Sequence, residues 1–107
     1  MSVIMTFEVR GDPKGLEQFA NQNRDKMQAI LEAAKQHGLI AHRFYGSADG
    51  GRLMVLDEWP DPQSFESFFR EQESQIRPIF EAAGVTAEPE PSFWHQLAVH
   101  DEFGWGA

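Results

Sequence analysis

The chain has 107 residues, no cysteine and a formal net charge of −8. This length predicts a single domain over residues 1–107, and the shortage of Lys and Arg argues against a surface that follows nucleic-acid phosphates. The lack of cysteine excludes disulfides and thiolate metal sites, and it fits a reducing compartment. No apolar run is long enough to span a bilayer and no basic leader precedes the first apolar stretch, so we expect a cytoplasmic protein with no membrane partner.

The first predicted element is a strand, SVIMTFEVR. Apolar side chains alternate along it and would share one side of a sheet: Val3, Met5, Phe7 and Val9. A helix follows, because Asp12 can cap it, Pro13 needs no hydrogen-bond donor in the first turn, and Gly38 can end it. Its apolar stripe at helical spacing is interrupted by Asn23.

A β-hairpin is predicted next, because two strand-like runs flank the reversal SADGG, whose Asp and Gly residues tolerate positive φ angles. The second helix repeats the pattern of the first: Asp61 caps it, Pro62 starts it and Gly84 ends it. Pro78 is predicted to kink or divide this helix, because it removes a backbone donor and crowds the preceding turn.

The last predicted strand, SFWHQLAVH at residues 92–100, completes the order βαββαβ. This order is the ferredoxin-like α+β motif, with two helices on one face of a four-stranded antiparallel sheet. The other face would carry large apolar groups such as Ile4 and Trp94. An apolar sheet face left in water marks a binding surface, so we expect a homodimer in which two sheets close over one another.

One stretch, GLIAHRFYGSADGGRLMVLDEWPDPQSFESFF, resembles the antibiotic-biosynthesis-monooxygenase-like proteins of the dimeric α+β barrel superfamily. The resemblance rests on Gly38, the Asp-Gly-Gly reversal and the ending of strand three at Glu58 and Trp59. The whole chain is also similar to small actinobacterial proteins of unassigned function with a Gly-Trp-Gly tail, here residues 104–106. The superfamily resemblance implies a homodimer, an apolar pocket between sheet and helices, and enzymes that oxidise polyketide phenols or quinols with dioxygen and no added cofactor.

The resemblance extends to haem-degrading proteins, but their ligands are absent from this sequence. Those proteins carry a haem-ligating His on the second helix and an Asn on the first strand, whereas residues 63–83 contain no His and the strand position is most like Thr6. We therefore expect no cofactor. A metal centre is not expected either, because His95 and His100 are an odd number of residues apart and would point to opposite faces of a regular strand.

Cofactor-free oxidation of a phenol requires an apolar pocket that excludes water and a base or donor that holds the phenolate. The catalytic candidates are His42 on strand two and Glu58 at the end of strand three. The substrate-binding candidates are the polar and aromatic residues expected near the same pocket: Thr6, Tyr45, Trp59, His95 and Trp105. Structural alternatives stay open, since Trp at a strand-to-helix corner is often core, and Glu58 could pair with Arg43 or Arg52 across the hairpin.

The tail at residues 102–107 shows no periodicity, and its glycines allow Phe103 and Trp105 to be laid on an existing surface. Two placements are open: a clasp across the partner protomer, or a lid over the pocket mouth. Two functions are open as well: a monooxygenase-like enzyme acting on an aromatic or polyketide-like molecule, and a noncatalytic small-molecule-binding or interaction module. A buried His or Glu facing an open cavity would favour the enzyme, and a filled cavity the module.

Overall fold

The computed structural model describes residues 1–105. Its helices and strands in chain order are β1 Val3–Arg10, α1 Pro13–Gln22, α2 Arg24–Gln36, β2 Ala41–Gly46, β3 Arg52–Trp59, α3 Pro62–Ala82 and β4 Ser92–Trp94. The sheet has the strand order β2-β3-β1-β4, and every neighbouring pair is antiparallel. The predicted ferredoxin-like α+β fold is confirmed. No helix within residues 1–105 has the length and apolar character needed to cross a membrane.

Both predicted N-caps form. The Asp12 carboxylate accepts a hydrogen bond from the Lys14 backbone N–H at 3.0 Å, and the Asp61 carboxylate accepts one from the Ser64 N–H at 2.7 Å. In each case proline occupies the first helical position, where no donor is needed. These caps determine where α1 and α3 begin, directly after β1 and β3, and so place the helices over one face of the sheet.

The prediction of one helix from Pro13 to Gly38 is wrong, because the chain leaves the helical conformation at Asn23. Asn23 has φ −133° and ψ 45°, and its side-chain amide donates to the Phe19 carbonyl at 2.8 Å. An Asn side chain that bonds to nearby backbone competes with the helical ladder, and here it ends α1. Residues 1–105 therefore contain three helices where two were predicted.

Pro78 does not divide α3, which runs from Pro62 to Ala82 without interruption. The turns around it are held against the core by Ile76, Ile79 and Phe80, all of which are buried. Packing of an amphipathic face supplies most of the stability of a helix within a protein, so the loss of one backbone donor is tolerated.

Strand β4 is shorter than predicted and ends at Trp94. Trp94 pairs with Ile4, next to the start of β1 at Val3, so an antiparallel continuation of β4 soon passes the end of its partner. The residues that follow are exposed, including Leu97 at 72% and Val99 at 59%, and His100 has a positive φ of 64°. The strand predicted for residues 95–100 is therefore absent.

The core lies between the helices and one face of the sheet, which we call the helix face. Trp59 and Met5 are fully buried there, at 0% exposed. The opposite side, which we call the open face, carries half-buried residues such as Ile4 and Leu56, and Trp94 at its edge is 56% exposed.

Candidate functional site

A cavity of about 80 Å³ lies between the helix face and the helices, and side chains of β1, α2, β2, β3 and α3 line it. Most of the lining is aliphatic or aromatic, and examples are Phe7, Leu31, Val55, Phe68 and Phe80. Two polar side chains that can carry a charge, His42 and Asp57, share this lining. An apolar pocket with a few convergent polar groups is the usual form of a small-molecule site.

His42 and Asp57 face each other across β2 and β3, because the strand register pairs them directly. Residues opposite one another on antiparallel strands project to the same face. The His42 Nδ1 atom lies 2.6 Å from Asp57 Oδ1. Asp57 is 5% exposed, whereas the His42 side chain is 31% exposed, so the carboxylate is buried behind an imidazole that reaches the cavity edge.

The second oxygen of Asp57 is held by Trp59, whose indole Nε1–H donates to Oδ2 at 3.1 Å. Within residues 1–105 no buried side-chain nitrogen or oxygen lacks a hydrogen-bond partner, so this buried carboxylate is satisfied at both oxygens. A carboxylate can only accept, and it therefore assigns the Nδ1–H tautomer to a neutral His42. The Nε2 lone pair is then the basic position of the ring.

Aromatic contacts fix this group in place. The His42 ring lies edge-on to Phe44, with the ring centroids 4.9 Å apart. Trp59 packs against Phe65 and Phe68 of α3, at centroid distances of 5.8 Å and 5.5 Å. An imidazole oriented by a buried carboxylate at an apolar cavity is an arrangement that can accept a proton from a bound O–H group.

The structure separates the predicted site residues by sheet face. His42 and Trp59 lie on the helix face. His42 is part of the cavity lining, and Trp59 donates a hydrogen bond to Asp57, which is also in that lining. Glu58 pairs in register with Ile4 and Ala41, one position out of phase with Asp57, and so lies on the open face. The two catalytic candidates, His42 and Glu58, therefore do not meet in one cavity of the protomer.

The remaining candidates lie on the open face or beyond the sheet. The Thr6 hydroxyl accepts a hydrogen bond from the Trp94 indole N–H at 2.8 Å. Tyr45 pairs in register with Met54, also on the open face. His95 follows β4 and is exposed, and Trp105 is 86% exposed.

Glu58 does not form the ion pair with Arg43 or Arg52 that the sequence left open. Its carboxylate accepts a hydrogen bond from the Ser2 hydroxyl. Arg52 instead pairs with Glu8 at 2.6 Å, and Arg43 lies under the Trp105 ring at 5.3 Å from its centroid. Trp105 thus lies beside Arg43 on the open face and not at the cavity. Residues 106 and 107 of the predicted tail lie outside the described residues.

Asp57 is the member of the candidate site that the sequence analysis missed. The alternation of RLMVLDEW places it in phase with Leu53, Val55 and Trp59, all of which are buried. An acidic residue at a core position of a strand is unusual, because a buried carboxylate needs partners. That signal was present in the sequence. Within residues 1–105 no cluster of three or more His, Asp or Glu side chains is arranged to hold a metal ion.

No protein-family model and no curated protein matches the chain. Among solved structures, it is similar to a conserved protein from Methanosarcina mazei Go1, with a TM-score of 0.63, 18% identity and coverage of 91% of this chain and 94% of that one. It is similar to a dimeric ferredoxin-like protein from an uncultured marine organism, with a TM-score of 0.65, 9% identity and coverage of 95% and 93%.

It is also similar to an antibiotic biosynthesis monooxygenase, with a TM-score of 0.60, 13% identity and coverage of 91% of this chain and 99% of that one. At these identities the likeness establishes a common fold. The resemblance to antibiotic-biosynthesis-monooxygenase-like proteins is therefore confirmed at the level of the fold, and the similarity to small actinobacterial proteins stays a prediction.

Proposed function

We propose that the protein is a small monooxygenase-like enzyme that binds an aromatic molecule in the cavity between sheet and helices and uses His42 as a general base. The observation that carries the proposal is the contact of 2.6 Å between His42 Nδ1 and the buried Asp57 carboxylate at the edge of an apolar cavity. Hydrogen bonding of Nδ1 leaves Nε2 free to accept a proton, and no hydrogen bond to Nε2 forms within residues 1–105.

The reaction class is the oxidation of a phenol by dioxygen. Nε2 of His42 takes the phenol O–H proton, and the resulting phenolate is electron-rich enough to reduce dioxygen. One oxygen atom enters the ring and the other leaves as water, so that phenol and dioxygen give a quinone and water with no further reductant. Asp57 stabilises the imidazolium that forms during proton transfer, as a carboxylate behind a catalytic histidine does.

The proposal includes a homodimer of cytoplasmic, single-domain protomers, joined through the open face. The open face supports this, because Trp94 at its edge is 56% exposed while the neighbouring Ile4 and Leu56 are only half-buried. Exposed apolar groups on a contiguous surface favour a protein partner. The similar solved structure of a dimeric ferredoxin-like protein supports a homodimer.

The test is a thermal-shift screen with phenols and quinols, followed by oxygen uptake and quinone absorbance for the compounds that bind. Binding to the native state raises its stability by mass action, so a ligand of the cavity raises Tm. Replacing His42 by Gln is expected to lower the oxidation rate about 10²- to 10⁴-fold, the usual contribution of a general base. His95→Gln is the matched control, because His95 is exposed and outside the cavity lining.

The outcomes separate the functions that the sequence left open. Binding with one dioxygen consumed per quinone, lost in His42→Gln and kept in His95→Gln, supports the enzyme. Binding without oxygen uptake would identify a noncatalytic small-molecule-binding module. No Tm shift with any aromatic compound would overturn both of these and favour the interaction module.

A further inference from the structure

A second and larger space adjoins the cavity. This outer groove, of about 450 Å³, lies between α3 and the loop at residues 84–89. Three side chains of α3, those of Phe69, Ile76 and Phe80, line both the cavity and the outer groove. The two spaces therefore share part of their lining.

The cavity is too small for an aromatic ring unless one of its walls moves. Its volume is about 80 Å³, whereas a cavity of about 150 Å³ is the size known to admit benzene. Extra room can come from a lining side chain that turns, and the outer groove is the larger of the two described spaces on α3 that share lining residues with the cavity.

Phe69 is the shared side chain with the most freedom to move. Ile76 and Phe80 are each 8% exposed, and Phe80 is held between Phe7 and Phe44 at centroid distances of 5.6 Å and 6.3 Å. Phe69 is half-buried and stacks on one ring, Phe65, at 5.7 Å. Rotation of Phe69 would join the two spaces with the least disturbance of the core.

The charged side chains of the outer groove indicate which ligand charge it favours. Three carboxylates line it, those of Glu73, Glu81 and Glu88, against one guanidinium, that of Arg77. Arg77 Nη2 donates to Glu73 Oε2 at 2.8 Å, so its charge is already compensated. A groove with this balance repels an anion and attracts a cation.

We infer that the cavity and the outer groove form one bipartite site, with Phe69 as the movable partition, for an elongated ligand that has a phenolic ring at one end and a cationic amine at the other. The ring enters the cavity beside His42, and the amine reaches the carboxylates of the outer groove. The inference rests on the proposed function and deepens it by naming the substrate class.

The test measures dissociation constants by calorimetry for three probes with the same head: 4-methylphenol, 4-(6-aminohexyl)phenol and 6-(4-hydroxyphenyl)hexanoate. The aminohexyl probe is expected to bind about tenfold more tightly than each of the others, a difference of about 1.4 kcal/mol. Glu81→Gln should remove a large part of that advantage. Glu17→Gln on α1 is the matched control, because Glu17 is exposed and lines neither space.

The partition is tested separately with Phe69→Ala and a probe with a wider head, 6-(6-aminohexyl)-2-naphthol. Removal of the ring is expected to tighten binding of the naphthol about tenfold. Phe93→Ala is the matched control: Phe93 is also half-buried and packs on the same Phe65 ring at 6.1 Å, but it lines neither space. It should lose comparable stability without the gain in affinity.

Failure of this inference differs from failure of the proposed function. If all three phenols bind equally in the wild type and Glu81→Gln changes nothing, the bipartite site is wrong while the phenol site stands. If the naphthol gains no affinity in Phe69→Ala, Phe69 is not the partition. If no phenol binds, the proposed function and this inference both fail.

Discussion

The two faces of the sheet use the same strands in opposite ways. On the helix face the buried Asp57 is bound at both oxygens, by His42 and by Trp59, and the three side chains act as one unit. On the open face, polar side chains form single bonds at partly exposed positions, as Thr6 does with Trp94. A polar group inside the protein needs complete satisfaction, whereas one at the surface can exchange its partner for water.

Residues that are adjacent in the sequence of a strand do not act together in one protomer. Neighbouring positions in a strand, such as Asp57 and Glu58, lie on opposite faces and in different environments. Candidate residues chosen only because they lie near the same strand end can therefore belong to two different faces of the sheet. In an α+β sheet, side chains of one protomer can form a common site only when they lie on the same face.

The largest contrast between the faces is expected from two tryptophans. Trp59→Ala should lower the free energy of unfolding by about 3–5 kcal/mol, because the side chain is fully buried and a cavity would remain. Trp94→Ala should cost about 0.5–1.5 kcal/mol, the value of its bond to Thr6. Urea unfolding at low protein concentration measures both.

The difference between the two variants is also expected to depend on protein concentration. If the open face joins two protomers, the cost of Trp94→Ala increases with concentration, because the wild type gains stability from association and the variant does not. Similar losses for Trp59→Ala and Trp94→Ala at low concentration would contradict the difference between the faces.

The second prediction compares two adjacent acids. Asp57→Ala leaves the buried Trp59 N–H without an acceptor and should cost about 1–3 kcal/mol of stability. Glu58→Ala should cost about 0.5 kcal/mol or less, since its bond to Ser2 is partly exposed. Chemical denaturation of the two variants gives the difference directly.

A spectroscopic measurement can show whether Asp57 orients the His42 ring, apart from its effect on stability. Nitrogen-15 NMR of the neutral His42 ring should show Nδ1–H in the wild type and in Glu58→Ala, because Asp57 accepts from that atom in both. In Asp57→Ala the preference should disappear. An unchanged tautomer in Asp57→Ala would show that the carboxylate does not orient the ring.

Much of the fold could be predicted from local patterns. Alternation locates the strands, and the caps at Asp12 and Asp61 locate the helix starts, because each depends on residues close in the chain. The break at Asn23 and the early end of β4 depend on other interactions. Asn23 bonds to the turn before it, and β4 ends where β1 offers no further partner.

The candidate site could be predicted in part. His42 was recognised by residue type, and Asp57 could have been found from its phase with the buried positions of β3. Their contact follows from the hairpin, since both lie equally far from the reversal at Asp49 and Gly50. The cavity volume and the place of Phe69 in its lining could not be predicted, because they depend on packing among five elements.

The third prediction concerns the tail over the open face. Phe103 and Trp105 are 94% and 86% exposed, so a single protomer gains little from them. Deleting residues 102–107 should raise the dimer dissociation constant about tenfold or more if the tail is a clasp, since buried aromatic side chains dominate many interfaces. Monomer stability should change by about 0.5 kcal/mol or less. Analytical ultracentrifugation measures the first quantity and urea unfolding the second.

The control for the deletion is Trp105→Ala. If Trp105 is the anchor, this variant reproduces most of the effect, whereas Arg43→Ala removes only the guanidinium beneath its ring. An unchanged dimer after the deletion would eliminate the clasp and leave the sheet surface itself as the interface.

The smallest expected effect lies at the rim of the helix layer, where His37 after α2 donates from Nε2 to Glu71 Oε2 of α3 at 2.9 Å. This hydrogen bond holds the pKa of Glu71 below its ordinary value. Because the folded-state pKa is lowered, the stabilisation is present above the ordinary pKa and is lost as pH falls through the lowered value. His37→Ala should bring the Glu71 pKa back toward its ordinary value, as measured by carbon-13 NMR of the side-chain carboxyl.

Asp49 in the hairpin provides the internal reference for that titration. The Ser47 hydroxyl, and next the Gly51 backbone N–H, lower the pKa of Asp49, and neither contact involves His37. The Asp49 pKa should therefore be the same in the wild type and in His37→Ala. If both pKa values change together, the variant has altered the fold more widely. If only Glu71 changes, the hydrogen bond from His37 is the cause, and this contact joins the end of α2 to α3 more firmly above the lowered pKa of Glu71 than below it.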